Sequence, residues 1–315
     1  MLNHQSYHLC VEASVRADEL RISRSDVAGA AVFDAGAKTT GSLEAGLVMA
    51  RVCLGGAAEV SFAPEDGDRY ASDVCVVVRT DAPVAACLGG QYAGWPVSVD
   101  KYFAMGSGPM RMARGREEVL GELGLVEKPD YVAGVLESNE LPGHDVISAV
   151  AEQCGVATNR VALMVAPSGS VAGTVQVVAR SVETAMHKLH ALKFDVRTVF
   201  SAFGSAPLAP PARPDDVIGG IGRTNDAILY GGRVTLWVDC EQAAVDAVAE
   251  AVPSRASKDH GRPFAKIFKD YEYDFYKVDP HLFSPAVVQI INRRSGVSRR
   301  FGSIETDVLR ASFGL

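Results

Sequence analysis

A mixed α/β fold with more than one layer is what this sequence predicts, and three observations predict it. Segments with helical spacing alternate with short β-branched runs along the whole chain. The residues are 48% hydrophobic and 22% charged, the balance of an ordinary globular protein with a core to bury. No internal repeat points to a solenoid or a propeller. At 315 residues the chain has room for two domains or one large one.

Residues 3–21 read as an opening helix, followed by "AAVFDAG" as a strand. "SLEAGLVMARVCL" is a helix with Ser42 as its N-cap, because a serine oxygen ahead of an apolar run can accept from a first-turn amide. "AEVSFA" and "SDVCVVVRT" are strands, the second apolar enough to be buried. The glycine-rich stretch from 86 to 111, "ACLGGQYAGWPVSVDKYFAMGSGPMR", holds too many turn formers to be one element. A charged helix near 114–123 and the strand "DYVAGVLE" come next. The polar, proline-containing "SNELPGHD" is the candidate domain boundary, which divides the chain into 1–140 and 141–315, with the reservation that it could cross between domains more than once.

Helix 144–154, strand "RVALMVA" and a long helix from about Ser170 to Leu192 form a βαβ-like order. "SAPLAPPARPD" is a proline-rich loop, and "DAILYGGRVTLWVDC" reads as a hairpin turning at Gly231 and Gly232. Helix 241–251 follows. "DYEYDFYKV" alternates Tyr271, Tyr273 and Phe275 as one face of a half-buried strand, and "AVVQIINRRSGVSRRFG" is a second hairpin.

A net charge of −7 offers no basic footprint for nucleic acid. The first twenty residues lack the basic lead and apolar core of a signal peptide, and no apolar run is long enough to span a bilayer. The expectation is a cytoplasmic protein with no membrane partner. Six cysteines without a CxxC pair exclude a zinc ribbon or a thioredoxin-like motif and read as buried free thiols.

Chemistry concentrates in "ARSVETAMHKLHAL" (179–192). At about 100° per residue, Arg180, Glu183, His187 and His190 share one helix face, opposite Val182, Met186 and Leu189. Three readings are open: a solvated polar face, a metal site built from Glu183, His187 and His190, or an acid–base pair in which Arg180 orients the Glu183 carboxylate. The spacing is not that of a zincin helix, and an arginine beside the ligands would repel a divalent cation.

Elsewhere, Gly106, Ser107 and Gly108 form a turn flanked by Lys101 and Arg111, where backbone amides could hold an anion, although the P-loop spacing is absent. Arg223, Thr224, Asn225 and Asp226 lie between two glycine-rich segments at an expected strand start, where they could line a cleft or cap a turn. The absence of G-x-S-x-G argues against an α/β-hydrolase.

In order along the chain, "ACLGGQYAGW", "VDKYFAMGSGPMR", "ALMVAPSGS", "ARSVETA", "GRTNDAILYGG" and "YDFYKVDPHLFSPA" resemble the methenyltetrahydromethanopterin cyclohydrolases. The resemblance implies reversible hydrolysis of the methenyl group bridging N5 and N10 of a tetrahydropterin to the N5-formyl compound. It implies a two-domain α/β subunit with the substrate in a cleft between the domains, assembled as a homotrimer. It assigns Arg180 and Glu183 as the catalytic pair and places Ser107, Gly108, Arg111, Thr224, Asn225 and Asp226 around the substrate. It requires no metal and no permanently bound cofactor, the pterin being the substrate, and it carries over no role for His187 or His190. Tyr92 departs from the lysine expected in some members, which leaves the pterin contacts open. Two alternatives compete: a zinc-dependent cyclohydrolase or deaminase using Glu183, His187 and His190, and a non-catalytic pterin-binding module.

Overall fold

The computed structural model describes residues 1–213 and 216–315; the final two residues of the proline-rich loop, Pro214 and Asp215, lie outside them. The chain opens with α1 (Leu2–Val15) and the single turn α2 (Ala17–Leu20). A hairpin follows, made of β1 (Ser23–Val27) and β2 (Ala30–Asp34). The helix α3 (Leu43–Cys53) starts where expected, with the Ala45 N–H donating to Ser42 Oγ at 3.0 Å. Then come β3 (Glu59–Pro64), α4 (Gly67–Tyr70) and β4 (Val74–Thr80).

The glycine-rich stretch is several elements: a π-helix over Val84–Gln91, β5 (Trp95–Val99), β6 (Tyr102–Ser107) and α5 (Met110–Arg114). After α6 (Glu118–Glu122), the strand β7 (Val132–Glu137), α7 (His144–Cys154) and β8 (Val161–Ala166) follow as expected. The remainder comprises α8 (Val171–Val178), α9 (Ser181–Ala191), β9 (Val199–Pro207), α10 (Val217–Gly231) and β10 (Arg233–Val238). It ends with α11 (Gln242–Asp246), α12 (Phe264–Asp270), the hairpin β11 (Val287–Asn292) and β12 (Ser298–Gly302), and α13 (Thr306–Phe313).

Three expectations are corrected. The long helix over 170–192 is two helices, because α8 closes with the Arg180 N–H donating to Val177 O (3.0 Å) and α9 restarts beyond it. "DAILYGG" is the last part of α10 and turns no hairpin; residues 226–231 are all buried, and Asp216 caps the helix by accepting from the Gly219 N–H at 2.8 Å. "DYEYDFYKV" is not extended. It passes from α12 through Glu272 and Tyr273, both in the left-handed region (φ 57° and 62°), into a 3₁₀ turn, and Phe275 reaches Phe268 with ring centroids 4.4 Å apart. The aromatic residues meet across this bend rather than along a strand face.

The chain forms two compact units, Met1–Glu59 with Ala85–Gln176, and Val60–Val84 with Val177–Leu315. The expected division at 140/141 falls instead in the loop joining β7 to α7, inside the first unit. β8, which lies beyond that loop, pairs in parallel with both β7 and β2, so the segment cannot be separated from the strands before it.

The first unit is a six-stranded sheet in the order β1-β2-β8-β7-β6-β5, parallel at its centre and antiparallel at both margins. Side-chain alternation builds a core on each face. Phe33, Val135 and Met164 pack with Cys10, Met49 and Val52 of α1 and α3, while Val132, Leu136 and Leu163 pack with Val146, Ile147 and Val150 of α7. β8 is buried at every residue, as a parallel strand covered on both faces requires.

The second unit is a six-stranded sheet in the order β12-β11-β10-β9-β4-β3, with β10 and β11 parallel and β9 antiparallel to its neighbours. The helices α9 and α10 pack on it. α9 approaches β9 closely: a Cβ on Gly204 would lie 2.5 Å from Ser181 Oγ, so glycine is what the contact permits. On the other side of β9, Phe203 aligns across the strands with Thr235, Gln289 and Arg300, and Phe203 is 41% exposed. All six cysteines are free and buried.

Candidate active site

The break between α8 and α9 decides the chemistry of "ARSVETAMHKLHAL". Arg180 becomes the N-cap residue of α9 and Glu183 enters its first turn, where the unsatisfied amides and the helix dipole favour an anion. Both are buried, Arg180 6% and Glu183 4% exposed. A water-facing surface is therefore the wrong description for this pair. His187 and His190, further along, are half-buried. Among the described residues, no three His, Cys, Asp or Glu side chains are grouped so as to hold a metal ion.

Ser107, Gly108 and Arg111 come together at the end of β6. Ser107 is fully buried, its Oγ 3.2 Å from Cys53 Sγ. Gly108 adopts φ +96° and its N–H donates to Gly90 O at 2.8 Å, while a Cβ there would lie 2.9 Å from Gly134 Cα. The Arg111 guanidinium is fully buried. It donates to Gly89 O (3.0 Å) and Gly90 O (3.1 Å), forms a two-pronged pair with Glu117, and lies over the Tyr92 ring with its Cζ 5.0 Å from the centroid. It thus holds the carbonyl end of the π-helix, a rare element that recurs at functional sites. Lys101 is exposed.

Thr224, Asn225 and Asp226 are consecutive in α10, so their side chains leave the helix about 100° apart and do not form one cluster. Thr224 Oγ1 donates to Gly220 O (2.9 Å) and Asn225 Nδ2 to Ile221 O (2.8 Å), both back onto their own helix. Asp226 is fully buried; its carboxylate accepts from the Phe264 N–H at 2.8 Å and from Ser312 Oγ at 2.6 Å. Burial pushes its carboxyl up to about 7, against the pull of those two hydrogen bonds. Of the three, Asn225 retains surface to offer a ligand.

One group that sequence reasoning missed is Lys188. It lies 1% exposed on α9. Nothing in the pattern of the chain distinguishes it from a surface lysine.

A family model described as "Cyclohydrolase (MCH)" matches residues 1–313. Among the most similar relatives, the methenyltetrahydromethanopterin cyclohydrolase of Rhodopirellula baltica is 61% identical over 92% of this chain and 87% of its own length. That of a Methylobacterium species is 46% identical over 96% and 94%, and that of Methanothermobacter marburgensis 42% identical over 95% and 94%.

Proposed function

Since the chain belongs to the methenyltetrahydromethanopterin cyclohydrolase family, we propose that it hydrolyses the methenyl bridge of the pterin with Glu183 as the base and Arg180 as its partner. The observation that carries this reading is the burial of both residues at the N-terminal turn of α9. Ionised groups held in a low-dielectric setting act more strongly on a reacting group than they would in water.

The methenyl carbon lies between N5 and N10 and carries amidinium-like positive charge, so it is already an electrophile and the reaction needs no Lewis acid. Glu183 takes a proton from water as the oxygen attacks this carbon. Arg180 orients the carboxylate and stabilises the developing hydroxide. The bond from the carbon to N10 then breaks, Glu183 returns its proton to N10, the remaining hydroxyl proton is released to solvent, and the neutral N5-formyl compound remains. Asn225, which retains surface, supplies a pterin contact. Ser107, Gly108, Arg111, Thr224 and Asp226 are buried and support the substrate site from behind.

Glu183→Gln is expected to lower turnover by about 10² to 10⁴, followed as loss of the methenyl chromophore and corrected for spontaneous hydrolysis. Near wild-type turnover by the folded variant would refute the assignment. Free thiols at all six cysteines support a reducing, cytoplasmic setting, and the resemblance supports assembly as a homotrimer. Among the described residues no helix is long and apolar enough to cross a membrane.

A further inference from the structure

We propose that Lys188 is a positioning residue for this reaction: its ammonium fastens the segment 264–284, through the backbone of His281, to the helix that carries Glu183. The inference rests on the functional reading above and deepens it.

Lys188 Nζ donates to His281 O at 2.7 Å. The turn it grips is itself built to be gripped. Asp279 accepts from the His281 N–H (3.0 Å), the Lys258 N–H (3.2 Å) and Ser257 Oγ (2.7 Å), and the Asp279 N–H donates to Asp259, which also accepts from Tyr271 Oη at 3.0 Å. Two residues beyond His281, Phe283 packs against Phe264 and Phe275, with ring centroids 5.6 and 6.0 Å apart. The segment therefore forms one strap, secured at its start by Asp226 holding the Phe264 N–H and at its end by Lys188.

Lys188 follows Glu183 by five residues, about 7.5 Å along α9 and roughly 140° around it. It is turned away from the face that Glu183 presents, so it acts on the back of the helix and not on the reacting atoms. A buried ammonium costs stability that an apolar side chain of the same length would not, so the lysine stands there for what it holds. Burial pushes it down to about 8, opposed by Asp279; the His281 side chain on the same turn is exposed. A neutral amine is a much weaker donor than an ammonium, so the clamp loosens as pH rises past that value.

The test compares the wild-type protein with Lys188→Met and Lys188→Arg in two measurements. In amide hydrogen exchange without substrate, residues 279–284 should exchange faster in Lys188→Met and close to wild type in Lys188→Arg. In hydrolysis of methenyltetrahydromethanopterin, kcat of Lys188→Met should fall about tenfold or more, with KM changed far less. The wild type should lose kcat on the alkaline side near pH 8, Lys188→Arg should carry that limb to higher pH, and Lys188→Met should lack it. Unchanged exchange at 279–284, or wild-type kcat with the same alkaline limb in Lys188→Met, overturns the proposal. If the wild type turns over no methenyl pterin, the functional reading fails, and Lys188 is left without a reaction to position for.

Discussion

Asp226 carries a carboxyl group with no exposed surface, in contact with an amide and a hydroxyl that both favour its ionised form. Burial outweighs them, and the group binds its proton up to about pH 7 in the fold, against an ordinary value of 3.8. Because the folded value is the higher, the contribution to stability is complete below 3.8 and is lost as pH rises to about 7, a change of up to roughly 4 kcal/mol. Denaturant unfolding measured across that window should show stability falling with pH, and Asp226→Asn, which can keep both hydrogen bonds, should flatten the dependence. Such behaviour is not written in the spacing of residues. The intervals of "ARSVETAMHKLHAL" made Arg180 and Glu183 visible as a pair, but whether a polar face meets water or protein depends on what packs on it. For the same reason Lys188 and the fixed guanidinium of Arg111 were out of reach, since their partners are backbone carbonyls distant in the chain.

Helices and strands with strong local signals stand where the pattern places them: α3 behind its Ser42 cap, β7, α7 and β8 in succession, and the hairpin of β11 and β12. The failures share a cause. Paired glycines at 231 and 232 suggested a turn, yet Gly231 ends a helix and Gly232 leads out of it; alternating aromatic residues suggested extension, and tertiary stacking bent them. Period and turn chemistry are local, whereas these outcomes were set by distant contacts. The packing of α9 on β9 offers a direct test at this scale. Gly204→Ala would thrust a methyl group against Ser181 Oγ and Val182, at 2.5 and 2.8 Å, and shift the helix that bears Glu183. A loss of about 1–3 kcal/mol in denaturant unfolding is expected, together with reduced turnover; full stability and full turnover would show that α9 tolerates displacement.

The whole chain is interleaved, and the loop chemistry of "SNELPGHD" could not reveal it, because a domain is defined by which strands pair and not by which loops are polar. The consequence is measurable. A fragment of residues 1–140 lacks β8, the strand between β2 and β7, and so leaves both facing an empty position in the sheet. It should show no cooperative unfolding transition by circular dichroism, whereas an independent domain would. Interleaving also acts during synthesis. β4 pairs with β9, from Cys75 opposite Pro207 to Thr80 opposite Ala202. At roughly 5–20 residues per second, a ribosome spends on the order of ten seconds between completing one strand and delivering the other. Over that interval the first unit gains β8 and can close its sheet, while in the excursion 60–84 the apolar strand β4 has β3 on one side and lacks β9 on the other. The nascent chain thus passes through a stage in which chaperones and neighbouring chains compete for β4, and the pace of translation becomes part of how this protein reaches its fold.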